Sequence, residues 1–94
     1  MTAEKAVLAT NWKMVDGDGG TFIKVISFPV PEGSPVAEES MWVKQVSGTD
    51  NNGIGTLDNK PYFCTAVTLG DLVRYGGGTS ETKPRFVEKV EAEV

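Results

Sequence analysis

Histidine is absent from this 94-residue sequence, and cysteine occurs once, as Cys64. Without histidine the chain lacks the commonest metal ligand and general base of proteins, and its hydroxyl groups lack the usual partner that activates a nucleophile. The sequence therefore predicts no catalytic residue, no metal site and no cofactor, and we expect that the protein is not an enzyme. A lone cysteine in an apolar run is expected to be a small buried hydrophobe, and without an internal disulfide it favours a cytoplasmic location.

Long apolar segments are also missing, as is the basic and then apolar N-terminal pattern of a signal peptide. The net charge is −4 and the isoelectric point is about 4.7. An acidic chain does not offer the basic face that nucleic acids or anionic membranes require, so we expect neither as a partner. Such a charge suits a basic protein partner. The length predicts a single domain over residues 1–94 with a modest core.

Apolar and polar residues alternate with a period of two along most of the chain, which predicts strands. The predicted strands cover residues 6–15, 21–30, 41–46, 54–57, 62–67, 72–75 and 86–94. Turn signals such as Asn52-Gly53 and Gly70-Asp71 separate them. Two segments keep an alternative: residues 36–40 form either one helical turn or an acidic loop, and residues 86–94 form either a strand, which we favour, or a helix.

The segment 21–30 is apolar on both faces, which predicts a strand that is covered on both sides. Strict alternation places Phe22, Ile26 and Phe28 on one face and Ile23 and Val25 on the other. The predicted fold is mostly β with at most one short helix, as a curled antiparallel sheet or a partly open, SH3-like small barrel. Its predicted core consists of Trp12, Ile23, Val25, Phe28, Val43, Leu57, Phe63, Leu72, Val73 and Phe86.

The stretch from Leu69 to Gly78 predicts a turn, a short strand that ends at Tyr75 and a glycine loop, Gly76-Gly77-Gly78. Glycine loops can offer bare N–H groups to an anion or a peptide. The alternative is a wide turn that is selected for its shape alone. Arg74, Lys83 and Arg85 flank this loop as a local basic cluster, which is either part of a binding site or a solvated rim.

A second group of candidate binding residues lies further upstream. Asp58 and Asn59 either cap the backbone of a hairpin or face a ligand beside Trp42. Tyr75 is either a core residue or, if it is exposed beside the glycine loop, an anchor for a binding partner. The candidate binding residues are therefore Trp42, Asp58, Asn59, Arg74, Tyr75, Gly76, Gly77, Gly78 and Arg85.

Three short motifs carry a resemblance to a known type of domain. They are Glu39-Ser40-Met41-Trp42, the Leu57-Asp58-Asn59 turn with the aromatic pair Tyr62-Phe63, and Gly70-Asp71-Leu72-Val73. The chain resembles small bacterial domains of unknown function that carry these motifs in this order. The resemblance implies a predominantly β fold and assigns no biochemical role.

Two functional hypotheses follow from these observations. The first is a non-catalytic module that binds another protein, and one version of it is an inhibitor or immunity-type binder that neutralises a basic partner, where acidic charge speeds encounter. The second is a small-anion or peptide binder that uses the Gly76–Gly78 loop together with Arg74 and Arg85.

Overall fold

Strands are the only regular elements among the residues that the structure, a computed structural model, describes: 6–7, 13–15, 17, 20–79 and 81–91. They are β1 (Ala6–Val7), β2 (Lys13–Val15), β3 (Thr21–Pro29), β4 (Glu38–Gly48), β5 (Gly53–Leu57), β6 (Leu72–Gly76) and β7 (Arg85–Lys89). The alternating sequence pattern explains them, since in β4 the side chains of Met41 and Val43 are buried while Lys44 is exposed.

Each strand pairs antiparallel with the next strand in the chain, and β3 also pairs in parallel with β7. In this parallel contact Ile26 lies opposite Arg85, and the Ile26 N–H donates to the Pro84 carbonyl at 3.0 Å. Strands β3 to β7 thereby form a closed five-stranded mixed barrel, and β2 and β1 continue the sheet beyond β3. The predicted small, mostly β barrel is confirmed, with one parallel contact where antiparallel pairing alone was expected.

A β-bulge in β3 decides which aromatic side chains enter the core. The ladder between β3 and β4 shifts register between Val25 and Phe28, and Ser27 within the shift has a φ of 68°. The extra residue turns Phe28 to the same side as Val25. The prediction that Phe28 shares a face with Phe22 is therefore wrong. Inside the barrel Phe28 stacks on Phe86 with 4.7 Å between ring centroids.

Both faces of β3 carry buried side chains, as its two apolar faces predicted. Met14 lies opposite Phe22 in the β2–β3 ladder, and both side chains are buried although they lie outside the main core cluster.

The core fills the inside of the barrel. It contains Ile23, Val25, Phe28, Met41, Val43, Leu57, Cys64, Val67, Val73 and Tyr75. Most predicted core residues are confirmed, and so is the burial of Cys64. Phe86 packs against the core and Leu72 is half-buried. The prediction for Phe63 is wrong because its side chain is 37% exposed, and Trp12 lies outside the described residues.

Several predicted element boundaries are corrected. The single strand predicted over residues 6–15 is wrong, because Ala6–Val7 and Lys13–Val15 are two strands that pair antiparallel with each other. No helical turn occurs at residues 36–40, since β4 begins at Glu38. The last strand runs through Arg85–Lys89, so the helical alternative for residues 86–91 is wrong, while residues 92–94 lie outside the described part.

The strand predicted over residues 62–67 is also wrong. This segment belongs to the connection between β5 and β6, residues 58–71, which contains bends and turns and no ladder pairing. Near its end Gly70 adopts a φ of 91°, which fits the predicted Gly70-Asp71 turn. Strand β6 then runs one residue beyond the predicted end, to Gly76.

Candidate functional site

The 58–71 connection presents apolar side chains to solvent although it lies against the barrel. Cys64 and Val67 point into the core and are buried. On its outer side Tyr62 is 89% exposed, Leu69 is 61% exposed and Phe63 is 37% exposed. The connection thus carries the barrel core on one side and an exposed apolar surface on the other.

The carboxylate of Glu39 holds the first part of the connection in place. Its Oε2 accepts the N–H of Tyr62 at 2.8 Å, and its Oε1 accepts the N–H groups of Phe63 at 3.0 Å and Cys64 at 2.8 Å. Partial burial alone would raise the pKa of Glu39, but the three backbone donors outweigh it and the pKa lies below its usual value. Glu39 is therefore ionised at neutral pH and fixes the backbone beneath the aromatic pair.

Asp71 holds the other end of the connection in the same way. Its carboxylate accepts the Thr68 N–H at 2.8 Å and lies 3.5 Å from the ammonium of Lys89. The Thr68 bond lowers the pKa of Asp71 more than partial burial raises it, and Lys89 lowers it further. Backbone bonds add to this anchor, since the Gly70 N–H donates to the Leu57 carbonyl at 2.8 Å.

The predicted group of Trp42, Asp58 and Asn59 lies where the start of the connection meets β4, and the structure brings all of them together. The Asp58 N–H donates to the Trp42 carbonyl at 2.8 Å, and the Asn59 side-chain oxygen accepts the Trp42 N–H. Asn59 therefore caps the backbone, which was one of its two predicted roles. The half-buried Trp42 ring is covered by the ammonium of Lys24, 5.1 Å from the ring centroid.

A groove of about 610 Å³ lies along the connection. Its lining includes Pro61, Cys64, Val67 and Leu69, and Lys60 is its charged lining residue. The Tyr62 and Phe63 rings lie 6.3 Å apart. We call the exposed side chains of Tyr62, Phe63 and Leu69, together with this groove, the docking surface.

The residues predicted around the glycine loop are not brought to a single site. Gly77 and Arg85 line one concavity, whereas Arg74, Tyr75 and Gly76 line another. The exposed Arg74 forms an ion pair with Glu88, with 3.0 Å between its Nε and the carboxylate.

The loop uses two of its backbone donors internally. The Gly77 N–H donates to the Asn52 side-chain oxygen at 3.0 Å, and the Gly78 N–H donates to the Asn51 carbonyl at 3.1 Å. These bonds favour the interpretation of the loop as a turn that is fastened to the neighbouring hairpin. A role for Gly76–Gly78 in ligand binding stays a prediction.

Tyr75 is a core residue with a satisfied hydroxyl. It is 1% exposed, its hydroxyl donates to the Thr49 carbonyl at 2.8 Å, and Gln45 Nε2 donates to it at 3.2 Å. Burial raises the pKa of the phenol above its ordinary value, the Gln45 bond lowers it and the Asp50 carboxylate raises it. The phenol therefore stays protonated and acts as a donor at neutral pH.

Tyr75→Phe should destabilise the domain by ~1–1.5 kcal/mol, because the Thr49 carbonyl and the Gln45 amide each lose a hydrogen-bond partner. Urea unfolding measures the change. The matched control is Tyr62→Phe, which removes the same hydroxyl from a side chain that is 89% exposed and should leave stability unchanged. Equal midpoints for both variants would contradict the assigned role of the Tyr75 hydroxyl.

Sequence reasoning missed Glu39 and Asp71 as anchors of the connection and Leu69 as part of an exposed surface. The sequence did contain an indication of these roles, because each of the three motifs that carry the resemblance supplies a polar side chain that bonds backbone groups at or beside the connection. Glu39, Asn59 and Asp71 each come from a different motif, and each bonds the backbone at or beside the connection. The motifs thus describe one structural unit.

The model of a bacterial protein family matches residues 3–80 and is described as "uncharacterized protein conserved in bacteria" (DUF2314). The chain belongs to this family. The match extends over most of the DUF2314 chain and includes the whole docking surface. No curated protein and no solved structure matches the chain.

The described ranges include no helix that could span a membrane, and they hold no group of acidic and cysteine side chains that could bind a metal ion.

Proposed function

We propose that this domain is a non-catalytic module that binds another protein through the docking surface. The observation that supports this best is Tyr62, which is 89% exposed on a segment whose backbone is tied to Glu39. Tyrosines in interfaces provide a large contact area together with a polar end, and they are enriched among residues that dominate binding energy. A surface that is already held in place loses less conformational entropy when a partner binds.

The charge of the chain suggests the kind of partner. The net charge is −4, and electrostatic attraction raises association rates with a partner of opposite charge. We therefore propose a basic protein with an apolar centre in its contact surface. Inhibition or neutralisation of such a partner is the specific version of this proposal. The absence of histidine from the whole sequence supports a non-catalytic role.

A photocrosslinking amino acid placed at position 62 tests the proposal in cells of the protein's own source. The control places the same group at Val46, which is 61% exposed on β4 and lies outside the docking surface. We expect one basic protein to crosslink from position 62 and not from position 46. Identical adducts from both positions, or none from position 62, would overturn the proposal.

With the crosslinked partner purified, Tyr62→Ala should weaken its binding ~30-fold, which corresponds to about 2 kcal/mol. The control variant Val46→Ala removes a similarly exposed apolar side chain elsewhere and should leave the dissociation constant unchanged. The association rate should fall as salt is added, because screening weakens the attraction between the acidic domain and a basic partner. Calorimetry and stopped-flow kinetics measure these quantities.

A further inference from the structure

A concavity of about 420 Å³ lies on a different part of the barrel, where β3 meets the start of β7. Its lining includes Ile26, Gly77, Thr82, Lys83 and Arg85. Two cations thus face one recess in a chain whose net charge is −4. Glu81 lines the same recess, so its charged side chains are positive on balance, and this favours an anionic ligand.

The closure of the barrel fixes the guanidinium of Arg85. Its Nη1 donates to the Ser27 hydroxyl at 2.9 Å, and Ser27 lies in the bulge beside the Ile26–Arg85 pairing. The Ser27 hydroxyl in turn donates to Glu38 at 3.2 Å. A guanidinium has five N–H donors, so this bond positions the group and leaves donors for a ligand.

Lys83 is positioned by an ordered turn just before it. The Thr79 N–H donates to the Thr82 carbonyl at 3.0 Å, and the two threonine hydroxyls lie 2.8 Å apart. After burial, repulsion from Lys83 contributes to the lowered pKa of Lys24, whose ammonium lies over the Trp42 ring rather than in the lining of the recess. Lys13, Arg74 and Lys89 form ion pairs, whereas none of the ion pairs within the described ranges involves Lys24, Lys83 or Arg85.

We propose that this recess binds a small tetrahedral oxyanion, such as phosphate or a phosphate monoester, between Arg85 and Lys83. Arg85 supplies a planar fork of donors that matches two oxygens of the anion, and Lys83 supplies a mobile point charge. The glycine loop contributes shape rather than donors, since the Gly77 N–H already donates to Asn52. Glu81 also lines the recess and lowers its affinity for anions.

Titration with inorganic phosphate at constant ionic strength, followed by amide chemical shifts, tests the site. We expect saturable shifts at Gly77, Thr82 and Arg85 with a dissociation constant of about 1–10 mM, as an exposed site with few charges allows. Lys83→Gln should weaken binding at least tenfold, and Glu81→Gln should strengthen it about threefold, each by changing one charge at the recess. The matched control is Lys44→Gln, since Lys44 is an exposed lysine of β4 over the Phe22 ring and should not affect binding.

Two probes distinguish the sources of the anion. Equal affinities for inorganic phosphate and O-phosphoserine would show that the site recognises the tetrahedral group alone, whereas tighter binding of O-phosphoserine would identify a monoester as the ligand. Arg85→Gln provides a further test and is interpreted together with its unfolding midpoint, because Arg85 also contacts the bulge. Shifts that stay linear up to about 50 mM phosphate, or that are equal in Lys83→Gln, would overturn the proposal.

Discussion

Gly55→Ala should destabilise the domain by ~3 kcal/mol or more, because the new methyl group has no space. A Cβ at this position would lie 2.4 Å from the carbonyl oxygen of Lys44 and 2.5 Å from a methyl carbon of Val43. The carbonyl belongs to the neighbouring strand β4 and cannot move away without disrupting the β4–β5 ladder. Gly55 lies opposite Gln45, directly beside the register shift of that ladder.

Urea unfolding measures this effect as a shift of the midpoint. The matched control is Gly17→Ala, since Gly17 is exposed and a Cβ there would meet no atom within 4 Å. We expect the control to be neutral within ~0.5 kcal/mol, as for most surface substitutions. If Gly55→Ala were as stable as Gly17→Ala, this result would contradict the close packing of β4 against β5 at Gly55.

The fold class could be predicted because it depends on a local signal. Apolar and polar residues alternate with a period of two within single segments such as Met41–Val46, and this alternation predicts both the strand and its buried face. The bulge at Ser27 has no such signal. It follows from how β3 pairs with β4 and β7, and it reverses the face of Phe28.

The same distinction explains the 62–67 segment. Its apolar run predicts a strand, yet ladder pairing is a property of neighbouring chains and not of the segment. Here Glu39 and the core take the place of a partner strand, since Glu39 accepts N–H groups while Cys64 and Val67 fill the barrel. The apolar composition therefore correctly predicted that Cys64 contacts the core. It predicted the wrong backbone conformation for the segment around Cys64.

The candidate site was predicted only in part. The sequence indicated that Asp58 and Asn59 act beside Trp42, because turn residues act locally and Trp42 lies in the facing strand β4. Glu39 was missed because two consecutive glutamates are typical of a solvated face. The alternation of β4 nevertheless places Glu39 on the same inward face as Met41, where a carboxylate requires hydrogen-bond donors.

Glu39→Gln should loosen the docking surface while the barrel stays folded. The glutamine keeps one oxygen for the Phe63 and Cys64 N–H groups, but its NH₂ group faces the Tyr62 N–H, so that two donors meet. Because bonds to a charged acceptor are worth ~1.5–3 kcal/mol each and this one is partly exposed, we expect a loss of ~2 kcal/mol. Amide hydrogen exchange at Tyr62 should become ~30-fold faster.

The effect of pH follows from the same contacts. The folded-state pKa of Glu39 lies below its ordinary value of 4.5, so its contribution to stability is complete above that value and is lost as the pH falls through the folded pKa. The contribution of Asp71 is lost in the same direction, below its ordinary value of 3.8. Acid should therefore release the connection at both ends, and Glu39→Gln should remove part of this pH dependence.

The matched control is Glu32→Gln, which makes the same change at an exposed glutamate in the turn after β3 and should leave both hydrogen exchange and acid stability unchanged.

Glu39 lies beneath the aromatic pair rather than among the exposed contact residues. Its variant therefore distinguishes the effect of holding the connection in place from the effect of contacting the partner directly. We expect Glu39→Gln to reduce crosslinking from position 62 by loosening the backbone, whereas Tyr62→Ala removes the contact itself and leaves exchange at Phe63 and Cys64 slow. Fast exchange in Glu39→Gln with undiminished crosslinking would show that the partner does not require the ordered connection.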